Sequence, residues 1–293
     1  MNESAIKTAA LASLARPSGA FAMLAVDQRE SMRAMMAERQ DGPVADQQLT
    51  AFKLEAMRVL TPLASAVLID REFGWRQAVA AKVVAPSCRM IAAADRFFAS
   101  EDEIVSRVAI DEDVDPTAVK ADGAVALKLL VPWRPDEPAS ERISLVDAFV
   151  ARCRAAGLLS VVEPVSRKRR DGEPCDLHAG IIAAARELGG RGADLYKAEV
   201  PRHGTGGEKA VRDECAELTS LIQSPWVVLS SGLSPDDFPT AVGWACKEGA
   251  SGFLAGRGVW RNAVGSPDAQ KALVEDALPR LQRLCDVVDE AVG

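Results

Sequence analysis

Residues 19–29 read GAFAMLAVDQR, an apolar run that ends in three polar residues. A run of this kind predicts a β-strand that is buried on both faces, as in a parallel sheet. An open, doubly wound sheet normally has a glycine-rich phosphate turn directly after its first strand. Here Asp27, Gln28 and Arg29 follow the strand instead. The stretch therefore favours a closed barrel over an open sheet.

Further apolar runs follow, with helical stretches between them. The eight runs cover residues 19–26, 65–70, 90–94, 124–131, 158–164, 193–200, 226–230 and 252–255. Strands that alternate with helices imply a parallel sheet with right-handed crossovers, and eight repeats imply closure. The chain has 293 residues, and one such barrel needs about 250. We predict the α/β class, with a single (β/α)8 TIM barrel domain over residues 1–293.

Two late segments carry helix-start signals. Ser234–Asp237 and Ser266–Asp268 each offer a serine as N-cap, a proline at the first helical position and acids near the positive helix end. The second segment precedes an amphipathic stretch that we predict to be helical as far as Val292.

The composition excludes several classes of protein. Hydrophobic residues make up 48% of the chain and charged residues 26%, as in a soluble globular protein with a sizeable core. The net charge of −7 argues against a nucleic-acid partner. The sequence contains neither a membrane-spanning stretch nor a signal-peptide core, so we expect no membrane partner. Six scattered cysteines without a C-x-x-C pair indicate reduced thiols in the cytoplasm: Cys88, Cys153, Cys175, Cys215, Cys246 and Cys285.

Histidine is scarce, which limits the possible chemistry. The chain has two, His178 and His203, and neither belongs to an H-x-x-x-H or H-E-x-x-H arrangement. A catalytic zinc usually has three protein ligands, often mostly histidine, so we expect no metal. A Ser-His-Asp hydrolase would need one of these histidines, yet no G-x-S-x-G motif accompanies either. The sequence instead favours chemistry on lysine and carboxylates.

Lys197 lies inside an apolar run, ADLYKAEV at residues 193–200. A lysine on an edge strand with its ammonium in water would be the simplest interpretation. A desolvated lysine, by contrast, can supply a nucleophilic amine that forms a Schiff base with a carbonyl substrate.

Polar residues also stand in or at the ends of other runs, where barrel enzymes carry their catalytic groups. Asp27, Lys128 and Glu163 join Lys197 in this pattern. Alone, Lys128 could extend to solvent. Two lysines and two acids inside one barrel would be costly to bury without a function. We therefore predict that these four residues form a catalytic cluster.

The cluster suits carbon–carbon bond cleavage. Lys197 would attack a ketone to form an iminium, and Lys128 nearby would keep more of it as the free amine. Glu163 and Asp27 would move protons, and the sequence leaves open which acid performs which step.

Other polar strand ends have simpler interpretations. Asp70 could cap the following helix, and Glu199 could pair with an arginine at the rim. The segments Ser230-Ser231-Gly232 and Gly256-Arg257-Gly258 end the last two runs. Barrels frequently bind phosphate at these two loops, so we predict an anion site there.

The chain resembles the class I (Schiff-base) tagatose-bisphosphate aldolase group and, within it, the aldolases that cleave 6-deoxy-6-sulfofructose 1-phosphate. The resemblance follows the chain in order. It is carried by residues 19–30, 126–130, 163–165, 193–197, 229–232 and 250–257. Residues 201–207 and 168–175 differ from the pattern.

The resemblance implies a role for each matched residue. Lys197 would form the Schiff base, supported by Asp27, Lys128 and Glu163. Ser230, Ser231, Gly232, Gly256 and Arg257 would bind the C1 phosphate. Gln28 and Arg29 could face the far end of the sugar. No cofactor is implied, and we expect a homo-oligomer because such barrels commonly associate.

The expected reaction is cleavage of 6-deoxy-6-sulfofructose 1-phosphate to dihydroxyacetone phosphate and 3-sulfolactaldehyde, as in sulfoquinovose degradation. Cleavage of tagatose 1,6-bisphosphate to dihydroxyacetone phosphate and glyceraldehyde 3-phosphate is the alternative. A catalytically silent sugar-phosphate-binding barrel is the alternative outside the enzymes.

Overall fold

The computed structural model describes residues 3–293. Eight parallel strands close into a barrel in the order β1-β2-β3-β6-β7-β8-β9-β10, and β10 pairs back onto β1. These strands are β1 (Phe21–Ala25), β2 (Ala66–Ile69), β3 (Arg89–Ala93), β6 (Ala124–Trp133), β7 (Leu159–Ser166), β8 (Leu195–Glu199), β9 (Trp226–Leu229) and β10 (Gly252–Ala255). Each predicted run overlaps one of them, although β3 starts before its run and β6 and β7 end after theirs. The (β/α)8 barrel is therefore confirmed.

Two further strands form a hairpin that the sequence analysis did not predict. They are β4 (Asp95–Phe98) and β5 (Arg107–Ile110), paired antiparallel from Asp95↔Ile110 to Phe98↔Arg107. Only Ala94 separates β4 from barrel strand β3. The hairpin strands are short, partly exposed and interrupted by arginine, so they lack the continuous apolar pattern that identifies the barrel strands.

Helices precede, connect and follow the barrel strands. They are α1 (Glu3–Ala12), α2 (Glu30–Ala37), α3 (Asp46–Leu60), α4 (Arg76–Ala81), α5 (Pro116–Ala121), α6 (Ala139–Ala156), α7 (Leu177–Leu188), α8 (Glu208–Leu221), α9 (Phe238–Lys247), α10 (Arg257–Trp260), α11 (Ala269–Ala272) and α12 (Leu278–Val292). Single π-helical turns at Arg71–Trp75 and Leu273–Ala277 precede α4 and α12, and 3-10 turns cover Pro201–Gly204 and Arg261–Ala263.

The two predicted helix starts are each placed a few residues too early. The Ser234 hydroxyl accepts from the backbone N–H of Asp237, but it closes a separate turn and α9 begins at Phe238. Asp268, not Ser266, caps α11, since its carboxylate accepts from the backbone N–H of Lys271 at 2.9 Å. The predicted helical segment does continue to Val292, interrupted by the π turn.

Side chains along the barrel strands alternate between two apolar cores. One face packs against the helices, and the other fills the barrel interior. The interior core contains Phe21, Met23, Ala25, Ala66, Leu68, Ile91, Ala93, Ala126, Leu159, Val161, Leu195, Val227 and Leu254. Leu14, which follows α1, belongs to the same cluster. The next inward positions along three of these strands are Lys128, Glu163 and Lys197, so the strand period itself directs them inward.

No disulfide joins any of the six cysteines, and all are buried except Cys175, which is partly exposed. No helix within residues 3–293 is long and apolar enough to cross a membrane.

Candidate active site

Lys197 lies in β8, which pairs with β7 on one side and β9 on the other. Its side chain is buried, with 3% of the residue exposed. The Nζ atom lies 2.8 Å from Oε1 of Glu163 on the neighbouring strand. The simple interpretation of an edge-strand lysine in water is therefore wrong. The Lys197 amine is desolvated and in contact with a carboxylate.

Lys128 is fully buried in β6 and is surrounded by carboxylates. Its Nζ lies 2.6 Å from Asp27 Oδ2, 2.7 Å from Asp95 Oδ2 and 3.2 Å from Glu163 Oε2. Burial favours the neutral amine, but the three carboxylates outweigh it and raise the pKa of Lys128 above the ordinary lysine value. Lys128 is thus a fixed ammonium and does not extend to solvent.

The carboxylate of Glu163 links the two lysines, whereas that of Asp27 contacts Lys128. Burial alone would raise the pKa of Asp27, but the ammonium groups of Lys128 and Lys197 outweigh it and lower that pKa well below the usual range. Glu163 reaches Lys197 with one oxygen and Lys128 with the other. The structure therefore brings the four predicted catalytic residues into one network.

Asp95 completes this network, although the sequence analysis did not select it. Its carboxylate is buried and contacts Lys128, accepts from the backbone N–H of Leu130 at 3.0 Å and pairs with Arg29 at 3.0 Å. Asp95 follows the third apolar run directly. The rule that polar residues at strand ends form the site, which selected Asp27, would have identified it too.

Gln28 and Arg29 have different surroundings. A cavity lies next to this network and is lined in part by Asp27 and Glu163. Gln28 also lines it, whereas the guanidinium of Arg29 does not. Arg29 is 4% exposed, hydrogen-bonds the carbonyl and carboxylate of Asp95, and stacks on the Phe97 ring at 4.3 Å. The structure therefore does not place Arg29 where it could face the far end of a sugar. The guanidinium of Arg29 instead forms an ion pair with the Asp95 carboxylate.

The ends of β9 and β10 meet at the predicted anion site. Ser231 and Arg257 line the cavity. Ser230 does not, because its hydroxyl accepts from the backbone N–H of Gly258 at 2.9 Å and ties β9 to the start of α10. Burial, opposed in part by the charge of Glu163, lowers the pKa of Arg257.

Gly232 and Gly256, which follow the ends of β9 and β10, stand where the surroundings leave no room for a side chain. A Cβ on Gly256 would lie 2.4 Å from the carbonyl oxygen of Ala25 and 3.0 Å from Nε2 of Gln28. Gly232 has a φ of +78°, and a Cβ there would lie 2.6 Å from the His203 ring. These glycines therefore let the two loops approach β1 and His203 closely.

The cavity above the network has a volume of about 400 Å³. That size suits a small-molecule ligand. Lys197 is not one of the residues that line it, but its ammonium contacts Glu163, which is. The lining comprises Asp27, Gln28, Ser31, Phe97, Asp102, Glu103, Ile104, Val105, Leu130, Glu163, Val165, Arg167, Leu229, Ser231 and Arg257. Four of these belong to the β4–β5 loop, so the hairpin forms one wall.

The remaining strand-end acids have structural partners. Asp70 caps the turn that follows it by accepting from the backbone N–H of Phe73 at 2.8 Å, and it forms a buried ion pair with Lys53 of α3. Glu199 pairs with no arginine among the described side chains. It accepts from the backbone N–H of Ser166 at 2.7 Å and approaches His203 Nε2 at 3.6 Å. The simpler interpretation, that Glu199 pairs with an arginine at the rim, is therefore wrong.

Comparison with known proteins places this chain among aldolases. A sequence profile described as DeoC/LacD family aldolase matches residues 21–262. The tagatose 1,6-diphosphate aldolase of Listeria monocytogenes serotype 4a (strain HCC23) is 27% identical over 275 residues, which cover 86% of this chain and 80% of that protein. Tagatose 1,6-diphosphate aldolase 1 of Streptococcus pyogenes serotype M3 (strain SSI-1) is 26% identical, with 94% and 93% covered.

Among solved structures, an archaeal fructose-1,6-bisphosphate aldolase has the same fold. Its catalytic lysine is covalently bound to the carbinolamine intermediate of the substrate. It superposes with a TM-score of 0.61 at 17% identity, over 94% of this chain and 99% of that one.

Proposed function

Because the chain belongs to the DeoC/LacD aldolase family and is a lyase of the class I type, we propose that it cleaves a ketohexose 1-phosphate with an anionic group at C6. Lys197 forms the Schiff base, and the products are dihydroxyacetone phosphate and a three-carbon aldehyde. The observation that carries this proposal is the buried amine of Lys197, 2.8 Å from the Glu163 carboxylate beneath the cavity.

Glu163 is the group best placed to move protons at the reacting nitrogen. It accepts the proton that Lys197 must lose before its Nζ attacks the C2 carbonyl, and it returns a proton when the carbinolamine expels water. The resulting iminium withdraws electrons as the C3–C4 bond breaks. The C4 hydroxyl proton then goes to a carboxylate and the aldehyde departs. Protonation of the enamine at C3 and hydrolysis by water release dihydroxyacetone phosphate and restore Lys197.

Asp27 suits a different role. A carboxylate whose pKa is lowered so far is a weak base, so it stays ionised and accepts hydrogen bonds. We assign it to orient a substrate hydroxyl and to hold Lys128 in place. Lys128 stays protonated and stabilises negative charge that develops on the substrate oxygens.

Ser231, Gly232, Gly256 and Arg257 form the proposed site for the C1 phosphate. Arg257 supplies a guanidinium, and the glycines allow the backbone to approach the ligand. Ser230 supports this site through Gly258, without lining the cavity.

The group at C6 distinguishes two candidate substrates. The sequence resemblance favours the sulfonate of 6-deoxy-6-sulfofructose 1-phosphate, whereas the names of the Listeria and Streptococcus relatives favour the second phosphate of tagatose 1,6-bisphosphate. We keep the sulfosugar as the proposed substrate and the bisphosphate as the second candidate. We further propose a cytoplasmic location, which the six cysteines without a disulfide support, and association into a homo-oligomer.

Parallel turnover assays test this proposal. The enzyme is given each substrate separately, and the release of dihydroxyacetone phosphate and of the aldehyde is measured. We expect both products in equal amounts, with the sulfosugar preferred. A clear preference for the bisphosphate would replace the sulfosugar with the second candidate. The absence of turnover on both would contradict the proposed reaction.

A further inference from the structure

Arg167 extends the inward-facing row of β7 beyond the end of the strand. Glu163, Val165 and Arg167 occupy alternate positions, and all three line the cavity. Alternate residues of a strand face the same side. At about 3.3 Å per residue, Arg167 begins about 13 Å from Glu163, toward the mouth of the barrel. Its guanidinium therefore belongs to the upper part of the cavity whose floor holds the catalytic network.

The guanidinium of Arg167 lacks an ion-pair partner among the described side chains. No ion pair joins it to another side chain within residues 8–293, and its Nε atom is buried without a hydrogen-bond partner. Neighbouring arginines differ in this respect. Arg169 pairs with Asp171, and Arg170 pairs with Glu137. A buried hydrogen-bond donor without an acceptor costs free energy. The presence of such a donor in a cavity wall indicates that a bound ligand supplies the acceptor.

Arg257 provides the second free guanidinium of the cavity, from the end of β10 and therefore three strands away around the barrel. The charges of Arg261 and Arg167, after the larger effect of burial, help to lower the pKa of Arg257, so the two cavity arginines influence each other. The cavity also contains four acids. Asp27 and Glu163 are held by the lysines, Glu103 pairs with Arg134, and Asp102 is exposed on the hairpin loop.

We propose that Arg167 binds the anionic group at C6 of the substrate and thereby selects sugars with a charge at both ends. The inference rests on the proposed function, and it leaves Arg257 and Ser231 for the C1 phosphate. A guanidinium donates two parallel hydrogen bonds to a tetrahedral oxyanion. Sulfonate and phosphate share that geometry, so Arg167 serves either group.

Replacing Arg167 with methionine removes the charge and retains an unbranched side chain. The matched control is Lys168→Met, which removes an exposed cation next to Arg167 that does not line the cavity. Both variants and the wild type are assayed for kcat/KM on three ketohexose 1-phosphates. These carry a C6 sulfonate, a C6 phosphate or a neutral C6 hydroxyl.

We expect Arg167→Met to lower kcat/KM about 10- to 100-fold on the anionic substrate that the wild type prefers. The neutral substrate should change by less than about threefold, and Lys168→Met by less than about twofold on all three. Arg167→Lys should recover part of the loss, because it keeps the charge without the planar fork. Comparison of the sulfonate and phosphate arms identifies the group that Arg167 binds.

Equal losses on charged and neutral substrates would overturn the assignment of Arg167, as would an unchanged kcat/KM in Arg167→Met. If Arg167→Met does not fold, its circular dichroism spectrum will show less helix than that of the wild type. The charged and neutral substrates are then compared with Arg167→Lys instead. Wild-type turnover separates the two proposals. If the wild type cleaves the substrates but Arg167→Met does not discriminate between them, the proposed function stands and this inference fails. If the wild type cleaves none, both fail.

Discussion

At the scale of single residues, the sequence analysis selected the side chains that cluster in the barrel but not their pairings. Lys128, Glu163 and Lys197 follow from the strand period, because each stands at an inward position beyond an apolar one. Their distances depend on register between strands far apart in sequence, which one chain's pattern does not contain. Arg29 is an example of a pairing that the sequence did not reveal. Its guanidinium contacts the Asp95 carboxylate and does not line the cavity.

Asp95 should position Lys128 without contacting the substrate. Asp95→Asn removes one of the three carboxylates around the Lys128 ammonium and the charge that pairs with Arg29. We expect the free energy of unfolding to fall by about 3 kcal/mol, as for other broken buried pairs. We also expect kcat to fall more than KM rises. Urea denaturation and steady-state kinetics measure these effects.

Asp113→Asn is the matched control, because Asp113 forms only exposed pairs with Arg71 and Arg96. It should cost less than about 1 kcal/mol. Equal destabilisation by the two variants would show that Asp95 has no special role.

The lowered pKa of Asp27 makes its contribution to stability dependent on pH. The folded-state pKa lies below the unfolded value, so ionised Asp27 stabilises the fold fully above about pH 4 and loses this effect as the pH falls further. Asp27→Asn should therefore destabilise the protein more at pH 7 than at pH 3.5. Urea titrations at both pH values measure the difference, and a constant difference would contradict the assigned shift.

At the scale of elements, the barrel strands were predictable and the β4–β5 hairpin was not. Continuous apolar runs identify strands buried on both faces. The segments Asp95–Phe98 and Arg107–Ile110 are half-exposed and charged, and their pairing depends on their position above the barrel. The helix starts were misplaced for a similar reason. Ser234 and Ser266 have the residue type of an N-cap, but the local turns delay the helix.

The loop between β9 and α9 gives a test of local conformation. Gly232→Ala adds a Cβ at a φ of +78° and within 2.6 Å of the His203 ring, so the loop or the imidazole must move. We expect a loss of about 1–3 kcal/mol in stability and a raised KM, because the proposed phosphate loop shifts. Thermal unfolding and kinetics measure these changes.

Gly42→Ala separates backbone strain from the steric contact. Gly42 has a φ of +86°, but apart from Gly42 and its two chain neighbours, no heavy atom of the described residues lies within 4 Å of the position that an alanine Cβ would occupy there. This variant should show the smaller destabilisation and an unchanged KM. A KM raised equally in both variants would contradict the assignment of the loop.

At the scale of the whole molecule, closure of the barrel brings Asp27 and Lys197 into one site although 170 positions separate them in the chain. The sequence analysis anticipated this convergence from the rule that active sites lie at the carboxyl ends of barrel strands. It could not define the cavity, because the hairpin wall and the unpaired Arg167 depend on loops that lack a periodic pattern.

The proposed chemistry uses lysine and carboxylates throughout, so activity should survive a chelator. Among the side chains of residues 8–293, no group of three or more His, Cys, Asp or Glu is arranged to hold a metal ion. Incubation with EDTA followed by dialysis should leave kcat/KM unchanged. Lost activity that returns with a divalent cation would contradict the Schiff-base mechanism.

Borohydride trapping tests the central role of Lys197 most directly. Wild-type enzyme is mixed with dihydroxyacetone phosphate, reduced with sodium borohydride, digested and analysed by mass spectrometry. We predict a stable adduct on the peptide that contains Lys197, and none in Lys197→Met under the same conditions. The absence of an adduct in the wild type, or an adduct on another lysine, would contradict the assignment of Lys197 as the Schiff-base residue.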